Sequence, residues 1–477
     1  MVILAVLLAV FIIQGMVVLL LEYRRPQRAV AWLCMLFFCP PLVLLIYYAL
    51  GRDYASRRRL RDAAPANSGV RLGCLATEKC RPITDPEETA NPELYERSDL
   101  LHLLRELSGC SATARNHTEV LIDGQETYDS MLKAMESAAE HIHLEVYILR
   151  DDEIGRAFRD CLCRKARQGV KVRLLIDGLG SHALDRRFIV SLRSCGVETH
   201  VFLRPLPALR SGRFNYRNHR KILVVDGKVG FTGGINIGDE YLGKDPKLGY
   251  WRDTQLRVEG DAVFLLQRIF LRDWQLASGE RLNHPRHFPA HCCIGEEGVQ
   301  IIASGPDGDR DSLHTMLFAA LNAAQRRFWL ETPYFIPDPA IRVALKNAVL
   351  RGVDVRIIIP ATHDRELVYS ASLSYMGDLL EDGVRFYRYR KGFLHAKMWI
   401  ADSMLSSIGT GNLDLRSFYA NFEVSAVLMH PTRIEELAEI FRRDLENSDP
   451  VDTEWYYSKG KMEHLREEIC RVFSPLL

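Results

Sequence analysis

No C-x2-C pair occurs among the 11 cysteines, and their number is odd. Neither a disulfide framework nor a cysteine metal site is indicated, and a large core needs no such staples. Charge of one sign is lacking too. The 62 Lys and Arg residues against 61 Asp and Glu leave a net charge of +1, so there is no global basic field to argue for nucleic acid. The N-terminal apolar run has no basic residues before it and no small-residue cleavage site after it, which excludes a cleaved signal peptide. Cys161-Leu162-Cys163 and Cys292-Cys293 read as buried or incidental thiols. The tract His284, His287, His291, Cys292, Cys293 is broken by prolines and reads as a linker rather than a ligand set.

What is present is apolar and unevenly spread. With 477 residues, 47% of them apolar, the chain can build several domains around a large core. Val2 to Leu21 is apolar except for Gln14 and Gly15, and Ala29 to Leu50 contains no charge. Each is about as long as a bilayer's hydrocarbon core is thick. They are expected to form a transmembrane hairpin over residues 1–50, with Pro40-Pro41 bending the second span. Arg52, Arg57, Arg58, Arg59 and Arg61 follow the second span, against Arg24, Arg25 and Arg28 in the turn. That bias places the main body in the cytoplasm. Residues 51–116 read as a juxtamembrane segment near lipid head groups, with a loop at Pro65-Ala66-Asn67-Ser68-Gly69 and a helix from Pro92 to Leu107.

One pattern then occurs twice. His219-Arg220-Lys221-Ile222-Leu223-Val224-Val225-Asp226 and His395-Ala396-Lys397-Met398-Trp399-Ile400-Ala401-Asp402 both fit H-x-K-x4-D. The filler is mostly apolar and β-prone, so both read as buried strands on which His and Lys point the same way. An imidazole beside an ammonium suits a phosphate: Lys holds the anionic oxygens while His attacks phosphorus or passes a proton. Gly233-Gly234-Ile235-Asn236 follows the first copy and Gly409-Thr410-Gly411-Asn412 the second, each Asn lying 17 positions beyond its His. Glycine admits a ligand close to the backbone, and the Asn amide can donate to a phosphoryl oxygen.

The surrounding chain is duplicated as well. Val120–Gly124, Ile142–Leu149 and Val170–Asp177 read as strands separated by helices. Gln300–Ala303, Phe328–Phe335 and Val353–Pro360 repeat that order. The pairs Tyr147/Tyr334, Gly169/Gly352 and His219/His395 keep their sequence, with an Arg-rich insertion at Arg204 to Arg217 in the first copy. This predicts two tandem α/β half-domains, residues 117–290 and 291–477, each a mixed sheet flanked by helices. One His cannot easily be both nucleophile and opposing acid, so two halves facing each other as a pseudo-twofold pair would complete one site.

These motifs resemble the phospholipase D superfamily. Phe214-Asn215-Tyr216-Arg217-Asn218-His219-Arg220-Lys221, Glu331-Thr332-Pro333-Tyr334-Phe335-Ile336-Pro337 and Asn412-Leu413-Asp414-Leu415-Arg416-Ser417 are similar to the bacterial cardiolipin synthases within it. Gly411 stands where that family more often has a larger residue. The resemblance implies a membrane phosphatidyltransferase that condenses two phosphatidylglycerol molecules into cardiolipin and glycerol through a phosphatidyl-histidine. It implies His219 as nucleophile, His395 as acid and then base, and Lys221, Lys397, Asn236 and Asn412 around the phosphate. Asp253 and Glu423 resemble the family's downstream carboxylates that fix the His tautomers, the alternative being ordinary salt-bridge partners, for example of Arg252. Asp226 and Asp402 complete the catalytic motifs, although their distance along the strand favours orienting the site, with Asp226-Gly227 as a hairpin turn. Two His and two Lys make a metal unnecessary, so no cofactor is expected. The expected partners are phosphatidylglycerol, other membrane phospholipids and the bilayer, not nucleic acid. The competing readings are a membrane-anchored phospholipase D with water as acceptor, a tethered nuclease, and a non-catalytic phospholipid-binding scaffold.

Overall fold

In the computed structural model the described residues are 2–22, 26–38, 40, 43, 46–47, 80–203, 215–290, 295–308 and 310–474. The Pro65–Gly69 loop, the arginines from Arg52 to Arg61, most of the Arg-rich insertion, and His291, Cys292 and Cys293 lie outside them. Described strands before residue 261 are β1 (Asn116–Ile122), β2 (His141–Val146), β3 (Lys171–Asp177), β4 (Glu198–Phe202), β5 (Arg217–Asn218), β6 (Ile222–Val225), β7 (Val229–Gly233), β8 (Tyr250–Arg252) and β9 (Thr254–Gly260). After it come β10 (Val299–Ser304), β11 (Arg327–Glu331), β12 (Asp354–Pro360), β13 (Arg385–Tyr389), β14 (Gly392–Leu394), β15 (Met398–Ala401), β16 (Leu405–Gly409), β17 (Asn421–Leu428) and β18 (Ser448–Val451).

They build two mixed sheets of matching order. The first runs β1-β9-β7-β6-β2-β3-β4; the second runs β10-β17-β16-β15-β11-β12-β13 and adds β18 at its edge. In both, the strand that follows the motif Lys sits at the centre, between an antiparallel hairpin partner and the strand carrying Glu145 or Glu331. The apolar filler is explained by this placement. Leu223 and Val225 of β6 pack into the core formed with the first sheet's own helices. Ile222 and Val224, on the opposite face, join a cluster with Met398, Ile400, Ile408 and Val424 of the second sheet. A central strand covered on both faces has no polar side to show, so the filler does not alternate.

Two expectations need correction. His219 and Lys221 do not lie on one continuous strand: β5 ends at Asn218 and β6 begins at Ile222, and the second motif is interrupted likewise between Leu394 and Met398. The reason is that the chain changes sheets there, since β5 pairs with β17 and β14 with β8. The helix expected from Pro92 splits into a short 3-10 turn and a helix Ser98–Ser108. Its Leu100, Leu104 and Leu107 are buried with Leu313, Met316 and Leu317 of the second unit's core. Packing against protein, rather than head groups, is what that apolar face meets. At the N-terminus Val2–Leu21 is helical, with side chains described from Leu8 onward; the second helix is described over Pro26–Phe38, and much of the rest of the second expected span lies outside the described residues. Among the described residues no helix is long and apolar enough to cross a membrane.

Candidate active site

The two sheet changes bring the motifs together by exchange. β5, immediately before His219, lies parallel to the start of β17, and the His219 N–H donates to the Phe422 carbonyl at 2.9 Å. β14, immediately before His395, lies parallel to β8, and the His395 N–H donates to the Arg252 carbonyl at 2.7 Å. Each motif is therefore pinned beside the carboxylate that follows the other motif.

The side chains complete the crossing. His219 Nδ1 donates to Glu423 Oε2 at 3.0 Å, and His395 Nδ1 donates to Asp253 Oδ2 at 2.7 Å. Burial pushes the Glu423 carboxyl up, but His219 and Lys221 outweigh it and hold the group at about 2. Asp253 is likewise driven up by burial and held below the usual carboxylate range by His395 and Lys397. An ionised carboxylate only accepts, so each Nδ1 carries the proton and each Nε2 keeps its lone pair. Burial, and then the neighbouring Lys397, depress His395 to about 4. His219 is lowered by burial too, with Glu423 opposing and Lys221 and Lys397 adding to the fall. Both imidazoles rest neutral.

The lysines are buried with them. Lys221 Nζ donates to the His219 carbonyl at 2.7 Å, and Lys397 Nζ donates to the His395 carbonyl. Burial lowers Lys221 to about 7 and Lys397 to about 8, although Glu423 and Asp253 oppose it. Two ammonium groups that burial holds weakly face two neutral imidazoles, and the carboxylates that balance them are turned to the imidazole Nδ1 atoms. An anion entering between the lysines would hold their protons. The walls are aromatic: the Tyr147 ring lies 4.9 Å from that of His219, and the Trp251 ring 5.0 Å from that of His395.

The remaining expected residues are placed less directly. Asn236 Nδ2 donates to Tyr241 Oη at 2.8 Å while its Oδ1 accepts from the Ile148 N–H at 3.1 Å. Asn412 Nδ2 donates to Asp414 Oδ2 at 3.2 Å. Each amide nitrogen has two hydrogens, and these bonds use one. Asp226 and Asp402 sit at the far ends of their strands, with φ of 53° and 56°. Asp226 accepts from the N–H groups of Ala139, Glu140 and His141, each at 2.8 Å. Asp402 accepts from those of Gln325, Arg326 and Arg327 at the same distance. Counted with the catalytic set from the motif, both are occupied in tying the central strand to the loop before its neighbour. Asp226→Ala should cost roughly 3 kcal/mol, because it strands amides whose loss of a partner costs about 1–3 kcal/mol. Thermal unfolding should shift down while kcat per folded molecule stays within a few-fold; loss of kcat at unchanged stability would assign Asp226 to the chemistry.

Sequence reasoning missed the supports behind the exchange. Buried Arg220 donates from Nε to the Glu423 carbonyl at 3.0 Å and pairs with Asp273. Buried Arg252 donates to the Asp253 carbonyl and pairs with Asp444 at 2.7 Å. The Arg252 guanidinium thus serves Asp444 and leaves the Asp253 carboxylate to His395. Thr410 Oγ1 adds a bond to Glu423 Oε2 at 2.5 Å. A lone Asp inside an apolar helical run, as in Phe270-Leu271-Arg272-Asp273-Trp274, was the available signal. Among the described residues no group of three or more His, Cys, Asp or Glu is placed to hold a metal ion.

Known proteins of similar sequence were found over nearly the whole chain. The family described as cardiolipin synthase, PLD-like domain, matches residues 131–274 and 317–445. A cardiolipin synthase of Geobacillus kaustophilus is 41% identical over 475 residues, covering 99% of this chain and 93% of that protein. The major cardiolipin synthase of Bacillus subtilis is 37% identical, with 99% of each chain covered. Among solved structures, the phosphatidylserine synthase of Haemophilus influenzae superposes with a TM-score of 0.61 at 13% identity, covering 80% of this chain and all of that one. At that identity the likeness concerns the fold alone.

Proposed function

The chain belongs to the cardiolipin synthase family with PLD-like domains, and from that premise we propose that it is a phosphatidyltransferase condensing two phosphatidylglycerol molecules into cardiolipin and glycerol. The observation that carries the reading is the reciprocal exchange, in which His219 takes its carboxylate from beyond the second motif and His395 from beyond the first. The Nε2 lone pair of His219 attacks phosphorus, forming a P–N bond as the P–O bond to glycerol breaks. His395 gives the departing glycerol oxygen a proton. It then takes one from the hydroxyl of a second phosphatidylglycerol, whose oxygen displaces His219. Lys221, Lys397 and the second amide hydrogens of Asn236 and Asn412 stabilise the charge on the equatorial oxygens.

His395 rests neutral, so it must gain its proton before it can act as an acid. The substrate's own charge brings this about, because an anion between the lysines favours the protonated forms of Lys221, Lys397 and His395. In free enzyme the ammonium of Lys221 is lost as pH rises through about 7, and that of Lys397 through about 8. The ratio kcat/KM should therefore fall over that range, and the alkaline limb of kcat should lie higher, since kcat reports the bound state. On the acid side the rate falls only below the ordinary His value, because His219 is depressed. Alkaline limbs near the ordinary lysine value of about 10 in both profiles would contradict the buried, paired lysines.

The division into a membrane hairpin (1–50), a connecting segment (51–116) and two half-domains (117–290 and 291–477) facing each other as a pseudo-twofold pair is part of this reading. Support for the pair comes from the matching strand orders. Support for the bilayer comes from Leu8, Ile12, Met16 and Leu20, all more than half exposed on the helix Val2–Leu21. Met462, Leu465, Ile469 and Val472 form a second exposed apolar stripe, at helical spacing, on the last helix. The arginine bias around the hairpin favours a cytoplasmic body.

Incubation of the purified chain with phosphatidylglycerol alone tests the function. Cardiolipin and free glycerol should appear in equal amounts. Phosphatidic acid as the sole lipid product would make the protein a hydrolase, and no turnover of any phospholipid would make it a scaffold.

A further inference from the structure

A second basic cavity lies away from the motifs. It has a volume of about 410 Å³ and opens at the start of β2 and β3, under the stretch that follows the helix Ala262–Ser278. Because Ile142 faces Val225 and Glu145 faces Ile222, this end of β2 is a strand length from Lys221. Four residues at ~3.3 Å each put it about 13 Å further along the sheet. Nothing in the mechanism reaches it.

Its lining is strongly one-sided. Lys171, Arg173, Arg281 and Arg286 converge there against a single carboxylate, Glu140. Arg173 is buried and fixed, with Nε 2.8 Å from Glu198 and Nη1 3.3 Å from His143 Nε2. Among the described residues Lys171, Arg281 and Arg286 form no ion pair. Beside the exposed His284, two buried imidazoles complete the wall, His141 and His287, both more than nine-tenths buried. The Nδ1 atom of each is buried and has no hydrogen-bond partner.

The tautomers follow from the bonds. Gln267 Nε2 lies 2.8 Å from His143 Nδ1 and donates to it, which leaves the amide oxygen Oε1 to His141. His141 Nε2 lies 3.1 Å from that oxygen and donates to it. The His141 Nδ1 is then a buried lone pair with no donor, an orphan that costs free energy unless a ligand satisfies it. Burial lowers both imidazoles, His287 to about 3, so neither readily supplies its own proton. A ligand that suits this wall carries negative charge for the cations and an O–H for the nitrogen.

We propose that this cavity is a phosphomonoester site, distinct from the phosphodiester site of the motifs, in which the P–OH donates to His141 Nδ1 and the anionic oxygens meet Lys171, Arg173, Arg281 and Arg286. A monoester brings its own proton; a diester has none to give. The same chemistry is offered by inorganic phosphate or glycerol phosphate in solution and by the head group of a phosphatidate lipid.

Calorimetric titration of the full chain in detergent tests this, with inorganic phosphate, glycerol 3-phosphate, short-chain phosphatidate and dimethyl phosphate as separate probes. The expected result is a monoester site at one per chain that survives Lys221→Ala with Lys397→Ala. It should weaken at least tenfold in Arg281→Glu with Arg286→Glu, a surface pair whose unfolding temperature should match the wild type. Dimethyl phosphate should bind this site at least tenfold less well than phosphate. Binding of the soluble monoesters names a soluble occupant, and binding of phosphatidate alone names a lipid; either supports the site. Monoester affinity unchanged by the arginine pair, or equal affinity for the diester, would overturn it. Because the motif lysines are varied separately, failure here leaves the transferase reading standing.

Discussion

His219→Ala should abolish both turnover and covalent loading, whereas His395→Ala should abolish turnover alone. The two imidazoles look alike, since each is neutral, buried and bonded through Nδ1 to an ionised carboxylate. The proposed roles separate them. Without His219 no group remains to take phosphorus. Without His395 the nucleophile survives, but glycerol leaves without a proton. A substrate with a good leaving group needs no acid, so it should still load His219 in the His395→Ala protein. Either loss should lower the normal reaction at least roughly a hundredfold, the low end for positioned acid–base groups. Peptide mapping of rapidly quenched adducts, kept at neutral or alkaline pH because a P–N bond is acid-labile, reads the outcome. An adduct on His395 in the His219→Ala protein would reverse the assignment.

The second large effect comes from the carboxylates and has an unusual pattern. Glu423→Gln should behave like His219→Ala, and Asp253→Asn like His395→Ala, although each carboxylate belongs to the other motif's stretch of chain. A carboxamide in place of the carboxylate no longer fixes the Nδ1–H tautomer or supports an imidazolium. The cost should lie between roughly a hundredfold and ten-thousandfold; the upper figure is that of the same change in a serine protease triad. Activated substrate again discriminates, since Asp253→Asn should load and Glu423→Gln should not. If Glu423→Gln loads normally and Asp253→Asn does not, the functional pairing runs within each repeat and the exchange has no role in the chemistry.

The exchange is also where the sequence was least legible. The residue types were readable from two motifs with the same Asn sequel, and Asp253 and Glu423 stood out as later carboxylates. Their partners were not, because spacing along one chain carries no information about a crossing set by two short parallel pairings, β5 with β17 and β14 with β8. The same pairings break the expected continuous motif strand. The sheets themselves were easier. Largely apolar stretches such as Val172–Ile176 and Val355–Pro360 became interior strands because both faces are covered. Expected strand ends ran too far where a polar turn follows: the strand expected to reach Leu149 stops at Val146, and the one expected to reach Phe335 stops at Glu331. Arg220 and Arg252 were invisible as supports, since an Arg beside a motif residue reads as surface charge until its buried Asp partner on a distant helix is known.

The stereochemical course at phosphorus tests the shared site most directly. Phosphatidylglycerol made chiral at phosphorus by isotopic oxygen or sulfur substitution would be converted to cardiolipin and the configuration of the product compared with the start. Two successive in-line displacements, first by His219 and then by the second lipid's hydroxyl, predict net retention. Net inversion would mean direct transfer between the two lipids, with no phosphatidyl-histidine.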